Sequence, residues 1–140
     1  MSPAVPAGKR VLIIEDNLPF ANVASEFLQQ EGLQTAIAAN TAEALASLEK
    51  QRADVVLLDI HLGGEDGLTF LPDLKKRYPG VPVIVLTGLG YDTAMIKTAV
   101  EHGAANYFSK ENDMQDLVGL LARLLSAQAS ANERSVPKAS

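Results

Sequence analysis

Short runs of aliphatic and β-branched residues occur five times along the chain, and each is followed by a segment whose apolar residues have helical spacing. Apolar runs of this length without regular polar alternation are typical of strands that are buried on both faces of a sheet. The predicted strands are VLIIE from Val11, QTAIA from Gln34, DVVLLD from Asp54, VPVIVLT from Val81 and ANYFS from Ala105.

Five amphipathic helices are predicted after these strands, and two of them carry clear start signals. Asn17 is placed to cap the first helix, and Gly32 stands where that helix would stop. The second helix begins at Asn40 or Thr41, with Glu43 placed for a capping box.

The third helix is predicted from Gly67 to Tyr78, although Pro72 removes one of its hydrogen bonds and would kink or delay it. The fourth follows Asp92, and the fifth has the most regular apolar stripe. The predicted buried positions are Phe20, Val23, Ala24, Phe27 and Leu28 in the first helix, Leu45 and Leu48 in the second, Leu68, Leu71 and Leu74 in the third, Ile96, Ala99 and Val100 in the fourth, and Met114, Leu117, Val118, Leu121, Leu124 and Leu125 in the fifth.

Strands that alternate with helices predict a parallel sheet with helices on both faces, because each parallel connection has to cross one face. We therefore expect a doubly wound α/β fold of the flavodoxin-like type, with a five-stranded parallel sheet in the order 2-1-3-4-5 and five helices. The domain is predicted over residues 10–126. Residues 1–9 are predicted to be a disordered tail, and residues 127–140 a disordered tail or a truncated linker.

Composition narrows the classes of protein that fit. The 140 residues suffice for one domain, and no apolar run approaches the length of a membrane span. The absence of cysteine and the start MSPAVPAGK, which lacks the pattern of a signal peptide, favour a soluble cytoplasmic protein. The net charge of −5 disfavours direct contact with nucleic acid, so proteins or cations are the expected partners.

Polar residues stand at the predicted carboxyl ends of the strands, where ligands bind in sheets of this kind. Glu15 and Asp16 close the first strand, and Asp59 closes the third. Thr87 ends the fourth strand, and Lys110 follows the fifth. If the strand order is 2-1-3-4-5, the first and third strands are neighbours and their three carboxylates meet in one crevice.

Three carboxylates in one crevice repel each other unless a cation lies between them. Mg²⁺ suits such a site, because it binds a few carboxylates together with water and phosphate oxygens. Lys110 adds a positive charge and the Thr87 hydroxyl can donate to a phosphoryl oxygen, while Asp59 can act as the nucleophile that forms an acyl phosphate.

This arrangement resembles the receiver domains of bacterial two-component response regulators, the CheY-like superfamily. The resemblance covers about residues 10–126, and the pairs Asp66-Gly67 and Gly103-Ala104 match further positions of the family. The residues that carry it are, in chain order, Glu15, Asp16, Asp59, Thr87, Tyr107 and Lys110.

The resemblance implies a role for each of these residues. Asp59 is the phosphoacceptor, Thr87 and Lys110 hold the phosphoryl group, and Tyr107 turns inward when Thr87 moves towards it. The Mg²⁺ ligands that it implies are Glu15, Asp16, Asp59 and the backbone carbonyl of His61.

The resemblance also implies a signalling switch that catalyses only its own phosphorylation and dephosphorylation. A sensor histidine kinase or a phosphotransfer protein supplies the phosphoryl group. The fourth helix, fifth strand and fifth helix form the output face, which could contact a downstream protein, an output domain or a second copy in a homodimer.

The sequence departs from the family at several positions near the site. Leu62-Gly63-Gly64 replaces a loop that usually contains proline, and Glu111 stands where a proline with a cis bond commonly follows the lysine. We expect a trans bond after Lys110, because a cis bond without proline costs about 2.5–4 kcal/mol. Gly88 would leave the pocket more open, and His61 and Leu89 occupy positions that tune the phosphoryl lifetime.

Two enzyme or cofactor-binding classes fit the sequence less well. A phosphohydrolase of the haloacid dehalogenase type needs an aspartate two residues after its nucleophile, whereas Leu18 follows Asp16 at that spacing. A flavin-binding module needs a hydroxyl-rich phosphate loop after the first strand, and the residues there, Asn17-Leu18-Pro19-Phe20, contain no hydroxyl group. A receiver-shaped interaction module that never turns over phosphate stays open, as does a piece of a longer regulator. His102 is expected to have only a structural role.

Overall fold

The structure, a computed structural model, describes residues 5–88 and 93–135, and side chains as far as residue 127. Strands and helices alternate along these residues. The strands are β1 (Arg10–Ile14), β2 (Gln34–Ala38), β3 (Val55–Asp59), β4 (His61–Leu62), β5 (Glu65–Asp66), β6 (Val83–Thr87) and β7 (Asn106–Ser109). The helices are α1 (Leu18–Gln30), α2 (Thr41–Lys50), α3 (Gly67–Arg77), α4 (Thr93–Glu101) and α5 (Met114–Ser135).

Five of the strands form one parallel sheet in the order β2-β1-β3-β6-β7. Counted without the two-residue strands β4 and β5, this is the predicted order 2-1-3-4-5, so the predicted flavodoxin-like fold is confirmed. The strands β4 and β5 pair with each other as a small antiparallel hairpin directly after β3. This hairpin was not predicted.

The sheet is covered on both faces, because alternate residues of each strand point to opposite sides. Leu12 and Ile14 of β1 pack with α2, α3 and α4, whereas Val11 and Ile13 pack with α1 and α5. All residues of β3 and β6 are buried. Burial of a side chain of this size stabilises the fold by about 1.5–3 kcal/mol.

The predicted helix starts are confirmed. The Asn17 side chain accepts a hydrogen bond from the Phe20 N–H at 3.2 Å and caps α1. Asn40 accepts from the Glu43 N–H at 2.9 Å, and the Glu43 carboxylate accepts from the Ala39 N–H at 2.8 Å. This reciprocal pair fixes the N-terminus of α2 firmly.

Two predicted core positions, Val23 and Val100, are wrong, and seven others are only partly buried: Phe20, Phe27, Leu45, Leu68, Ile96, Met114 and Leu124. Val23 is 53% exposed and Val100 is 56% exposed. Ala21 is buried in α1, and Ala44 is buried in α2 where Leu45 is only partly covered. The small alanine side chains let these helices approach the sheet closely, which turns the neighbouring larger residues outward.

Helix α3 contains Pro72 and still continues to Arg77. In an α-helix the N–H of residue 72 would bond to the carbonyl of Leu68, and proline has no N–H. His102, just after α4, places Nδ1 3.0 Å from that carbonyl oxygen. Because a carbonyl only accepts, Nδ1 carries the proton, and His102 supplies the bond that Pro72 removes and ties α4 to α3.

Regular structure continues beyond both ends of the range 10–126, which stays the predicted extent of the domain. Helix α5 continues past residue 126 to Ser135, because SAQASANERS is rich in helix-forming residues and contains neither glycine nor proline. At the other end, the Gly8 N–H donates to the Gly32 carbonyl at 2.9 Å, and Val5 packs partly against the α1/α5 layer. The predicted tail over residues 136–140 lies outside the described residues.

Within the part of the chain that the structure describes, no helix is both long and apolar enough to cross a membrane.

Candidate functional site

Three carboxyl groups meet at the carboxyl ends of β1 and β3. Glu15, Asp16 and Asp59 each offer an oxygen atom within 4.8 Å of the other two. The pairing of β1 with β3 causes this, since parallel neighbours end at the same edge of the sheet. Glu15 and Asp59 are buried, whereas Asp16 is exposed.

Lys110 brings a positive charge to this cluster from the far side of β6. Its Nζ lies 2.5 Å from Glu15 Oε1 and 3.1 Å from Asp59 Oδ2. The backbone of Lys110 is held beside the end of β6, because the Lys110 N–H donates to the Thr87 carbonyl at 2.8 Å. Nζ also lies 5.1 Å from the centre of the Phe20 ring, at a distance suited to a cation–π contact.

One ammonium group faces three carboxyl groups, so the charge of the site is not balanced. Burial is the main cause that raises the pKa of Glu15, and the nearby Asp59 side chain raises it further, to about 7. Burial by itself lowers the pKa of Lys110, but the contacts with Glu15 and Asp59 outweigh it, and the pKa of Lys110 is raised. Glu15 Oε1 is in ionic contact with Lys110 yet accepts no well-directed hydrogen bond from the described residues.

The turn after β3 fixes the Asp59 carboxyl group. The His61 N–H donates to Asp59 Oδ1 at 3.1 Å, and the Gly67 N–H donates to the Ile60 carbonyl at 2.7 Å. A Cβ atom at Gly67 would lie 2.1 Å from the Asp59 carbonyl oxygen. Only glycine therefore fits where α3 begins beside Asp59.

Thr87 and Tyr107 lie on the adjacent strands β6 and β7. The Thr87 hydroxyl is buried and donates a long hydrogen bond of 3.5 Å to the Phe108 carbonyl. Tyr107 is half-buried and packs against the layer formed by α2, α3 and α4. The structure thus brings Glu15, Asp16, Asp59 and Lys110 into contact distance and places Thr87 at the same sheet edge.

The loop after Lys110 uses the N–H group that a proline would lack. No cis peptide bond occurs in residues 5–88 or 93–135, so the predicted trans bond before Glu111 is confirmed. The Glu111 N–H donates to the Ser109 hydroxyl at 3.2 Å, and the Asn112 N–H donates to the Ser109 carbonyl at 3.0 Å. Ser109 therefore closes this loop in place of a proline.

The β4–β5 hairpin contributes contacts that the sequence analysis missed. Its turn contains Gly63, whose φ of +59° favours glycine, and a Cβ atom there would lie 3.1 Å from Asp16 Oδ2. The Gly63-Gly64 pair between two short polar and apolar segments is a hairpin signal that could have been used. Leu89 lies outside the described residues.

The cluster fits a hard divalent cation such as Mg²⁺. Its donors are all oxygen atoms, a buried one of them lacks a well-directed hydrogen bond, and the single ammonium leaves negative charge uncompensated. The fold and this cluster define the class of protein: a doubly wound α/β domain with an acidic pocket at the end of its central strand.

The sequence matches the family model of the response regulator receiver domain over residues 11–122. This chain belongs to the response regulator receiver domain family. Members of the family are signalling switches of phosphorelay systems and interact with histidine kinases or phosphotransfer proteins. The predicted resemblance is therefore confirmed.

Curated relatives fall into two groups by length. An NtrX-like response regulator of Rickettsia bellii is 40% identical over 116 residues, which are 81% of this chain and 24% of the relative. The chain thus spans about a quarter of the length of these NtrX-like relatives. Sporulation initiation phosphotransferase F of Bacillus subtilis is 34% identical over 109 residues, 78% of this chain and 87% of the relative.

Two solved structures illustrate the structural similarity. A CheY-like receiver domain protein from Methanospirillum hungatei has a TM-score of 0.82 at 28% identity, over 89% of this chain and 99% of that one. A response regulator from Burkholderia pseudomallei with a phosphorylated aspartic acid, a calcium ion and citrate has a TM-score of 0.76 at 28% identity, over 92% of this chain and 75% of that one.

Proposed function

We propose that this domain accepts a phosphoryl group on Asp59 in a Mg²⁺-dependent reaction and passes the signal on through a conformational change. The observation that carries the proposal is the environment of the Asp59 carboxyl group. It is buried at the end of the central strand, with one oxygen held by the His61 N–H and the other paired with Lys110.

The transfer would proceed by attack of an Asp59 carboxylate oxygen on the phosphorus atom of the donor. A new oxygen–phosphorus bond forms, and the bond to the donor breaks with its electron pair leaving on the donor. Lys110 would hold the negative phosphoryl oxygens, and burial of the pocket strengthens that attraction because little water screens it.

The groups that would hold Mg²⁺ are Glu15, Asp16, Asp59 and the backbone carbonyl of His61. Bound there, the ion would neutralise charge on the phosphoryl oxygens. The protein's own part is to keep these oxygen atoms at one edge of the sheet, which the pairing of β1 with β3 supports.

The switch would act through Thr87 and Tyr107. The bond from Thr87 to the Phe108 carbonyl is long, so little is lost when the hydroxyl turns to a phosphoryl oxygen instead. Its movement would leave room for Tyr107 to turn inward and would change the face formed by α4, β7 and α5.

The relatives support phosphorylation of an aspartate in this domain. The Bacillus subtilis relative is named a phosphotransferase, and the Burkholderia pseudomallei structure contains a phosphorylated aspartic acid and a calcium ion. We infer that a sensor histidine kinase or a phosphotransfer protein supplies the phosphoryl group in the cytoplasm. A downstream protein, an output domain or a second copy of the chain would read the α4-β7-α5 face, with residues 10–126 as the receiver domain.

Trapping with borohydride tests the phosphorylated position. The protein is incubated with acetyl phosphate and Mg²⁺ and then treated with borohydride, which reduces an aspartyl phosphate to homoserine. After the borohydride treatment, peptide mass mapping should find homoserine at position 59 only in samples that were incubated with both acetyl phosphate and Mg²⁺. Homoserine at another aspartate, or none at all, would contradict the proposal.

A further inference from the structure

The β4–β5 hairpin lies against two of the three carboxyl groups of the site. Its first residue, His61, donates its N–H to Asp59 at 3.1 Å, and its turn glycine, Gly63, lies beside Asp16 Oδ2. The position of the hairpin therefore sets the hydrogen bonding of Asp59 and the space around Asp16.

A contact far from these carboxyl groups in sequence fixes the other strand of the hairpin. The Glu65 carboxylate accepts two hydrogen bonds from Thr41, one from its N–H at 3.0 Å and one from its hydroxyl at 2.8 Å. Glu65 and Thr41 are 24 positions apart. Thr41 is the first residue of α2, and Asn40 and Glu43 cap that helix, so the anchor is rigid.

Two such bonds to a charged acceptor are stronger than neutral ones and hold the hairpin in one orientation. The other anchor of the hairpin is local, since Asp66 caps α3 through the Leu68 N–H at 2.9 Å. The first strand is held by the Leu62 side chain, which is buried in the core, whereas the Glu65 contact ties the second strand to α2. Within the described residues, the N-terminus of α2 thus supplies the long-range hydrogen bonds of the second strand of the hairpin.

We propose that Glu65 is a positioning residue for the aspartyl phosphate chemistry of Asp59, acting through Thr41 at the N-terminus of α2. By holding the hairpin over the acidic cluster, it keeps the His61 N–H on Asp59 and limits the access of water to the phosphorylated carboxyl group. This inference rests on the proposed function for its effect on phosphoryl lifetime.

The test uses the full chain and follows phosphoryl loss by intact-protein mass after acetyl phosphate is removed. Glu65→Ala should speed the loss by roughly three- to tenfold, the range expected for lost hydrogen bonds of this kind. Thr41→Val should act in the same direction with a smaller effect, because its N–H still bonds to Glu65. The double variant should lose the phosphoryl group no faster than Glu65→Ala alone.

Two further variants separate positioning from charge. Thr41→Ser keeps the hydroxyl and should behave like the wild type, and Glu49→Ala removes an exposed charge from the same helix and should change nothing. If Glu65→Ala speeds the loss while Thr41→Val does not, the effect is one of charge and the positioning role is overturned. Equal rates in wild type and all variants would overturn it as well.

Amide hydrogen exchange tests the positioning without any phosphoryl group, so it separates this inference from the proposed function. Exchange at the His61 amide should be faster in Glu65→Ala and Thr41→Val than in wild type, with melting temperatures nearly unchanged. Unchanged exchange would overturn the inference even in a protein that accepts phosphate. A wild type that takes no phosphoryl group would contradict the proposed function instead.

Discussion

The Lys110 ammonium lies 3.1 Å from Oδ2 of Asp59, although the two residues are 51 positions apart in the chain. The sheet order creates this contact. Lys110 directly follows β7, and its N–H is bonded to Thr87 at the end of β6, the strand that lies next to β3. The same ammonium also faces Glu15. Lys110 therefore links Asp59, the proposed nucleophile, to Glu15, and its removal should affect both carboxyl groups.

Lys110→Met should slow phosphorylation of Asp59 by about 100-fold, as expected for loss of a preorganised charge at developing negative charge. Methionine has an unbranched side chain like that of lysine and can still contact the Phe20 ring, so the fold should persist. The measurement is the rate of mass gain with acetyl phosphate and Mg²⁺. Lys97→Met, an exposed change on α4, is the control. Equal rates for Lys110→Met and wild type would contradict the assigned role.

Glu15 should make the metal-free protein less stable as the pH rises. Its pKa in the folded state is about 7, above the ordinary value of 4.5, so the folded protein binds the proton more tightly than the unfolded chain. The resulting stability is fully present below pH 4.5 and is lost as the pH rises through 7. One pKa unit corresponds to about 1.4 kcal/mol, so the shift from 4.5 to about 7 sets an upper limit of about 3.5 kcal/mol on this contribution.

Urea unfolding with a chelator between pH 5 and pH 8 measures this effect. The free energy of unfolding of wild type should fall relative to that of Glu15→Gln, which cannot ionise at this position. Parallel pH curves for the two proteins would show that the Glu15 environment is misassigned.

Gly67→Ala should destabilise the fold strongly, because its Cβ would lie 2.1 Å from the Asp59 carbonyl oxygen. Backbone has to move to relieve that overlap, at a cost of about 1–3 kcal/mol or more. Gly64→Ala is the matched control, since a Cβ there meets nothing within 4 Å. Thermal unfolding of both variants checks the prediction, and similar melting temperatures would refute it.

His102 and Pro72 should behave as a coupled pair. His102→Ala leaves the Leu68 carbonyl without its donor and should cost about 1–3 kcal/mol. In a Pro72→Ala background the new N–H can bond to the same carbonyl, so His102→Ala should cost clearly less there. Denaturant unfolding of the four proteins gives the coupling energy. Additive effects would mean that His102 does not replace the missing helical bond.

The sheet was predictable because its central strands are unbroken apolar runs and each is followed by a helical pattern. The positions of Glu15, Asp59 and Lys110 followed from strand ends alone, since parallel order brings those ends together. The β4–β5 hairpin gives no periodic signal, because its strands have two residues each, and only its Gly63-Gly64 turn could have indicated it. In α1 the core contains Ala21 and not the predicted Val23. Which of the two is buried depends on how closely α1 packs on the sheet, and the spacing of apolar residues does not determine that.

Contacts between segments that are far apart in the chain also could not be predicted from the sequence. The pairing of Glu65 with Thr41 and the ring of Phe20 beside Lys110 depend on the final packing of loops over the sheet edge. His102 had no recognisable motif, because its partner is a backbone carbonyl that only a proline four residues later leaves unbonded.

Intact-protein mass after incubation with acetyl phosphate and Mg²⁺ tests the central claim most directly. Wild type should gain the mass of one phosphoryl group only when Mg²⁺ is present, and Asp59→Asn should gain none. A gain by Asp59→Asn equal to that of wild type would contradict the assignment of Asp59. No gain by wild type under any condition would contradict the phosphoryl switch itself and favour a receiver-shaped module that binds its partners without phosphate.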